Sequence, residues 1–185
     1  MTGPRARRPS RPEAAAELRR LWAPWRAQYV HGTAATDAGC IFCFGELGAA
    51  ARRRRLVLYA GPDALVMLNR YPYNNGHLLV APRRHVASPE LLATAERVAV
   101  GEVLNAALGL LRGELKPAAF NLGANLGRSA GAGIADHFHW HIVPRWDGDT
   151  NFMTVTVSTR VVSEHLTASF KRLHPLFKTL EAALS

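Results

Sequence analysis

His137 to Val143 reads HFHWHIV, within the longer run GIADHFHWHIVPRWDGD from Gly133 to Asp149. Three of the chain's eight histidines stand here at every second position, with Phe138, Trp140 and Ile142 between or after them. Period two is the spacing of a β-strand, whose successive side chains point to opposite faces of a sheet. A strand from Asp136 to Pro144 therefore puts His137, His139 and His141 in a row on one face, roughly 7 Å apart. The large apolar residues on the other face anchor that row to a core, and the histidines face a groove. Three imidazoles side by side repel one another when charged and titrate near neutrality. Stability alone does not call for such a row, so the pattern points to chemistry. Two chemistries fit: neutral imidazoles can bind zinc, and a histidine of fixed tautomer can act as nucleophile or general acid/base.

Outward from this row, the chain bounds what the histidines can serve. Its 185 residues, 48% hydrophobic and 20% charged, are enough for one domain with a real core. No apolar run approaches the ~20 residues of a membrane span, and the N-terminus lacks the apolar stretch of a secretory signal. The expectation is a cytoplasmic protein without membrane partners. The net charge of +9 is concentrated: residues 1–20 carry six Arg and two Glu, Arg52 to Arg55 add four more positive charges, and the remainder is +1. Residues 1–20 read as a disordered basic tail and 21–185 as a single domain with a C-terminal extension. No motif with interleaved aromatics marks specific nucleic-acid recognition.

The rest of the chain reads as strands around one long helix. Ala23 to Tyr29 is a tryptophan-bearing entry segment. Leu56–Ala60 and Ala64–Asn69 flank a turn at GPD, and His77–Ala81 is a buried strand that Pro82 closes. Ser88 as N-cap and Pro89 at the first helical position start a helix running to about Arg112. Its predicted apolar stripe is Leu91, Leu92, Ala95, Val98, Ala99, Val103, Ala106 and Leu110, and Gly113 can end it. Phe120–Asn125 is another strand, TVTVSTRVV from Thr154 is strand-like, and Ser163–Leu184 is an amphipathic helix with a possible break near Pro175. Short links favour an antiparallel sheet of about five strands with helices packed on it, an α+β domain.

Two further features bear on the chemistry. Cys40 and Cys43, the only cysteines, form CIFC. In a chain without a secretory signal this spacing reads as half a zinc site, with histidines as the other half. GRSAGAG, Gly127 to Gly133, directly precedes the histidine row. Glycines let backbone N–H groups approach an anion, so loop and row together suggest a phosphate held by amides with an imidazole in line for attack.

These residues together resemble a known family. HFHWHIV is similar to the His-φ-His-φ-His-φ-φ motif of the histidine triad (HIT) superfamily of nucleotide hydrolases and transferases. NRYPYNNGHLLVAPRRH, Asn69 to His85, resembles the family's segment of Asn, Pro, Gly-His, apolar strand and Pro-x-x-His. CIFC looks like the cysteine motif of its zinc-binding members, and NLGANLGRSAGAG, Asn121 to Gly133, its Asn-x-Gly and glycine-loop region. The likeness covers roughly Gly39 to Phe152. WAPWRAQY from Trp22 and PRWDGDTNFM from Pro144 further resemble an actinobacterial-type branch that includes diadenosine tetraphosphate phosphorylases. Where many members carry Gln or Ser before the triad, Gly133 and Ile134 stand here.

The resemblance implies the HIT-like fold and a set of roles. His139 would be the nucleophile forming a nucleotidyl-histidine, His141 would assist the leaving group, and His77 would support the triad. Asn69 would bond the ribose, Ile41 and Phe42 would lie against the adenine, and Asn125, Gly131 and Gly133 would hold phosphates. Cys40, Cys43, His85 and His137 would be ligands of a structural zinc; no organic cofactor is implied. The partners implied are an adenosine nucleotide substrate, possible inorganic phosphate as acceptor, and a second copy in a homodimer or tetramer. The expected activity is phosphorolysis or hydrolysis of dinucleoside polyphosphates. The alternatives are hydrolysis of AMP conjugates such as phosphoramidates, a catalytic zinc hydrolase, and a nucleotide-binding protein with little catalysis.

Overall fold

The structure, a computed structural model, describes residues 39–149 and 164–183. The basic tail, the Ala23–Tyr29 segment and the strand expected from Thr154 lie outside the described residues. In chain order the elements are α1 (Ala49–Arg55), β1 (Val57–Ala60), β2 (Ala64–Leu68), β3 (Leu78–Pro82), α2 (Thr94–Leu115), β4 (Ala119–Gly123), β5 (Trp140–Arg145) and α3 (Leu166–Ala183). Short 3₁₀ turns occupy Pro89–Leu91 and Arg128–Ala130. The five strands form one sheet of order β1-β2-β3-β5-β4, antiparallel at every pairing. This is the α+β architecture expected.

β2 (ALVML) and β3 (LLVAP) are buried at every position. Their apolar runs do not alternate because both faces of the sheet are covered. Helices α2 and α3 cover one face, where Val66, Leu68, Leu78, Val80 and Ile142 pack against Leu104, Leu111, Leu173 and Phe177. On the other face Phe42 packs onto Val57, Leu65, Met67, Leu79 and Ala81, with Ile134 beside them. The segment that carries both cysteines is thus fastened to the sheet by a wholly buried phenylalanine.

Three local readings need correction. Ser88 and Pro89 start only a 3₁₀ turn; Leu92 and Ala93 are extended, and the long helix begins at Thr94. Arginines cause the break: Arg84 donates to the Leu91 carbonyl and Arg97 to the Leu92 carbonyl. The two bonds hold the Leu91–Ala93 backbone in place, while Glu96 accepts the Ala93 N–H at the new start. The break turns the buried face of α2 to Val100, Val103, Leu104, Ala107 and Leu111, leaving Val98 58% exposed and Leu91 57% exposed. Gly113 does not end α2, which runs to Leu115 and closes on Lys116 at φ 47°.

β5 begins at Trp140, and Pro144 lies inside it. β3 pairs with β5 only up to Ile142, so Pro144, which pairs with Phe120 of β4, withholds no N–H that β3 needs. Pro175 lies inside α3 without ending it. Among the described residues no helix is long and apolar enough to cross a membrane.

Candidate active site

The histidine row sits on the sheet face opposite α2 and α3. His141 pairs with Leu79 across β3–β5, and Ile142, one residue on, packs into the helical core. His137 and His139 precede β5, and Phe138 points away from them into a cluster with Val86 and Leu92. The period-two reading of the side chains therefore holds beyond the hydrogen-bonded strand. The open groove expected does not: His137 is fully buried and His139 only 4% exposed. The Phe42 ring roofs them, with its centroid 5.0 Å from each imidazole. Phe42 is itself fully buried. It supports the row, and Ile41, 36% exposed, is the neighbour with surface to offer a base.

Hydrogen bonds assign a tautomer to each imidazole. His139 Nδ1 lies 2.9 Å from the His137 carbonyl and donates to it, so its Nε2 carries the lone pair. Burial holds the His139 pKa below its ordinary value, against a smaller opposing effect of that same bond. Its imidazole is therefore neutral at pH 7 and basic at Nε2.

His77 is fully buried beside this pair. Its Nδ1 accepts the Tyr73 N–H at 3.0 Å and lies 3.3 Å from Asn69 Nδ2. The His77 proton is then on Nε2, which donates across 3.0 Å to His141 Nδ1. A neutral His141 in turn carries its proton on Nε2. Burial, followed by repulsion from His141 and His139, lowers the His77 pKa to about 3. His77 thus fixes His141 as an Nε2–H donor without itself becoming charged. His139 and His141 have ring centroids 5.0 Å apart, which places a lone pair and a donor side by side.

Tyr73 had no role in the sequence reading. Its ring lies 4.8 Å from His77 and stacks on His141 at 6.0 Å. The available signal was an aromatic four residues before His77 in YPYNNGH. The Pro82 carbonyl was equally invisible beforehand, yet it accepts the His137 Nε2–H at 2.9 Å.

That bond leaves His137 Nδ1 for Cys40 Sγ at 3.3 Å, Cys43 Sγ at 3.5 Å and His85 Nδ1 at 3.2 Å. Cys43 Sγ and His85 Nδ1 are 3.2 Å apart, and all four potential ligand atoms lie within 4.8 Å of one another. Around a tetrahedral zinc with usual N and S bond lengths, ligand–ligand edges are ~3.3–3.8 Å. The set fits, and the Pro82 carbonyl supplies the partner that orients a metal-bound histidine. Four protein ligands leave no open position, so such an ion is structural rather than catalytic.

Of the remaining expected residues, Asn69 is the one joined to a histidine of the site. Asn69 Oδ1 accepts the Tyr71 N–H at 2.9 Å, so its side chain is tied to the turn and to His77 together. Asn125 is partly buried after β4. Gly131, exposed, adopts φ 88°, which only glycine takes easily, and Gly133 is exposed two residues on.

Known proteins place this arrangement. The HIT domain family model matches residues 52–148. The chain belongs to the HIT family. It is 36% identical over 155 residues to an AP-4-A phosphorylase from Mycobacterium tuberculosis, across 81% of this chain and 80% of that protein. Among solved HIT structures, a Zn-bound histidine triad family protein from Mycobacterium smegmatis has a TM-score of 0.55 at 24% identity, over 69% of this chain and 87% of its own. A hypothetical histidine triad nucleotide-binding protein from Sulfolobus tokodaii has a TM-score of 0.58 at 24% identity, over 77% and 94%. Both share the HIT fold described above.

Proposed function

We propose that this HIT protein is a phosphorylase of dinucleoside polyphosphates of the diadenosine tetraphosphate type, working through a nucleotidyl-His139 intermediate. The observation that carries the reading is the His139 Nδ1–H bond to the His137 carbonyl, which leaves a neutral Nε2 lone pair beside a donor. The choice of substrate and acceptor draws on the mycobacterial relative named as an AP-4-A phosphorylase.

In the first step His139 Nε2 attacks the α-phosphorus of one adenosine. The P–O bond to the remaining polyphosphate breaks as P–N forms; the bridging oxygen leaves as the terminal oxygen anion of that polyphosphate, with His141 Nε2–H donating a hydrogen bond to it. With diadenosine tetraphosphate the leaving group is ATP, and AMP stays on His139. In the second step a phosphate oxygen attacks the same phosphorus and displaces the imidazole, giving ADP; water in its place would give AMP. His77 keeps His141 in the donating tautomer throughout. Asn69 holds the ribose hydroxyls, Ile41 lies against the base, and Asn125 with the amides around Gly131 and Gly133 holds the phosphates. Cys40, Cys43, His85 and His137 would hold a structural zinc ion, and those four side chains would thereby tie the Cys40–Cys43 segment to the row without entering the transfer.

The test is incubation with diadenosine tetraphosphate, with and without inorganic phosphate, resolving the nucleotides formed. ADP plus ATP that appears only with phosphate supports the reading. AMP plus ATP without phosphate makes the protein a hydrolase. Turnover confined to AMP phosphoramidates would transfer the same His139 chemistry to another substrate class.

A further inference from the structure

A cavity of about 770 Å³ lies away from the histidine row. Leu56 and Leu166 in its wall belong to the core under the helices, whereas the row packs with Phe42 on the opposite sheet face. Its polar lining is Arg53, Arg54, Arg70, His165 and Thr167, with no carboxylate among the described residues. The size is that of a site for a small organic ligand, larger than a lone phosphate needs.

Arginines at the C-terminal turn of a helix are unremarkable alone, because they complement its dipole. That account covers Arg53 and Arg54 of α1 but not Arg70, which comes from the β2–β3 connection. Arg70 reaches across to donate to the Arg54 carbonyl at 3.2 Å, so its charge is brought beside two others. Glu181 holds Arg52 in a two-pronged pair, and Glu164 pairs with Arg172. Among the described residues Arg53, Arg54 and Arg70 form no salt bridge. The start of α3 faces the same cavity and adds the positive end of an 18-residue helix. Like charges gathered from three elements repel one another, and an anion would relieve that repulsion.

We propose that this cavity binds a nucleoside polyphosphate, separately from the histidine site. Guanidinium forks match phosphate oxygens in pairs. The apolar wall of Leu56 and Leu166, with Ala49 and Ala50, suits a base. A compact, bounded cluster of this kind favours a small polyphosphate over a nucleic-acid strand, which needs charge along a track.

The experiment is equilibrium binding of ATP to the full chain, with dinucleotide turnover measured in parallel. The unaltered protein should bind two ATP per chain, one displaced by inorganic tripolyphosphate at low salt and weakened as salt rises. Arg53→Ala/Arg54→Ala/Arg70→Ala should lose that site by roughly tenfold or more in affinity, with turnover unchanged. On the unaltered protein, ATP should protect Arg53 and Arg54 from phenylglyoxal, read by peptide mass, a readout that does not depend on the variant folding. ATP binding that the triple variant retains in full, no ATP protection of Arg53 and Arg54, or protection by a single-stranded oligonucleotide and not by ATP would each overturn the proposal, whereas a single ATP per chain that the triple variant loses would still support it. Turnover reports on the histidine reading by itself, so either can fail alone.

Discussion

His137 and His139 stand two residues apart, are both buried and touch the same phenylalanine, yet they present opposite nitrogens. His137 gives its Nε2 proton to the Pro82 carbonyl and turns Nδ1 toward two thiols and His85. His139 gives its Nδ1 proton to the His137 carbonyl and keeps Nε2 free of that bond. The choice of carbonyl leaves Nδ1 facing potential metal ligands at one end of the row and an Nε2 lone pair for the proposed transfer at the other. Identical side chains in one continuous motif thus acquire different chemistry from backbone acceptors that the motif does not display.

The comparison is broken most severely by His139→Ala. With the nucleophile gone, turnover should fall by roughly 10⁴-fold or more. Bound zinc, counted by atomic absorption, should be unchanged, because no metal ligand is altered. Equal loss of metal and turnover would mean that the two ends are not separable.

The reciprocal change is Cys40→Ser, or removal of the ion with a strong chelator. A closed structural site contributes to folding directly, so stability should drop by about 3 kcal/mol or more, lowering Tm by near 10 °C. The surviving folded protein, assayed well below that Tm, should keep turnover within about tenfold. Immediate and complete loss of turnover at unchanged Tm would favour a catalytic ion instead.

Acid provides a finer test. With a folded-state pKa near 3 against an ordinary 6.5, His77 makes no contribution to pH dependence above 6.5, where it is neutral in both states. Below 6.5 the unfolded chain binds a proton that the buried imidazole refuses. Stability then falls by about 1.4 kcal/mol per pH unit until the folded pKa is reached. His77→Gln keeps an amide donor near Nε2 but cannot titrate. Its stability deficit relative to the unaltered protein should therefore narrow by about 2–3 kcal/mol between pH 7 and pH 4.5, measured by urea unfolding. Parallel curves would show that His77 is charged in the fold.

The smallest expected effect belongs to Phe42→Leu, which trims a ring touching both ends of the row. A cost of about 1–2 kcal/mol is expected, with zinc affinity and turnover both reduced a few-fold. An effect on one alone would locate the ring's role at that end.

Much of this was legible before any coordinates. HFHWHIV announced a row of side chains by its period, and Cys40, Cys43, His85 and His137 followed from likeness to the HIT family. The tautomers were not legible, because they depend on the Pro82 and His137 carbonyls meeting particular ring nitrogens. Burial was misjudged for a related reason: Phe42, 95 residues earlier in the chain, roofs a row that alternation alone presents as half exposed. The helix after Ser88 was misplaced because Arg84 and Arg97 hold the Leu91 and Leu92 carbonyls in the segment before it, a long-side-chain effect that capping rules do not contain.

The central claim is that His139 Nε2 carries the nucleotidyl group. Its most direct test is to mix the protein with diadenosine tetraphosphate in the absence of inorganic phosphate, quench within milliseconds at alkaline pH, where a phosphoramidate survives, and measure intact mass and peptide masses. The account predicts one added AMP per active chain, on the peptide containing His139, discharged as ADP when phosphate is added before the quench. Turnover with no adduct on that peptide, or with an adduct on His141, would contradict it.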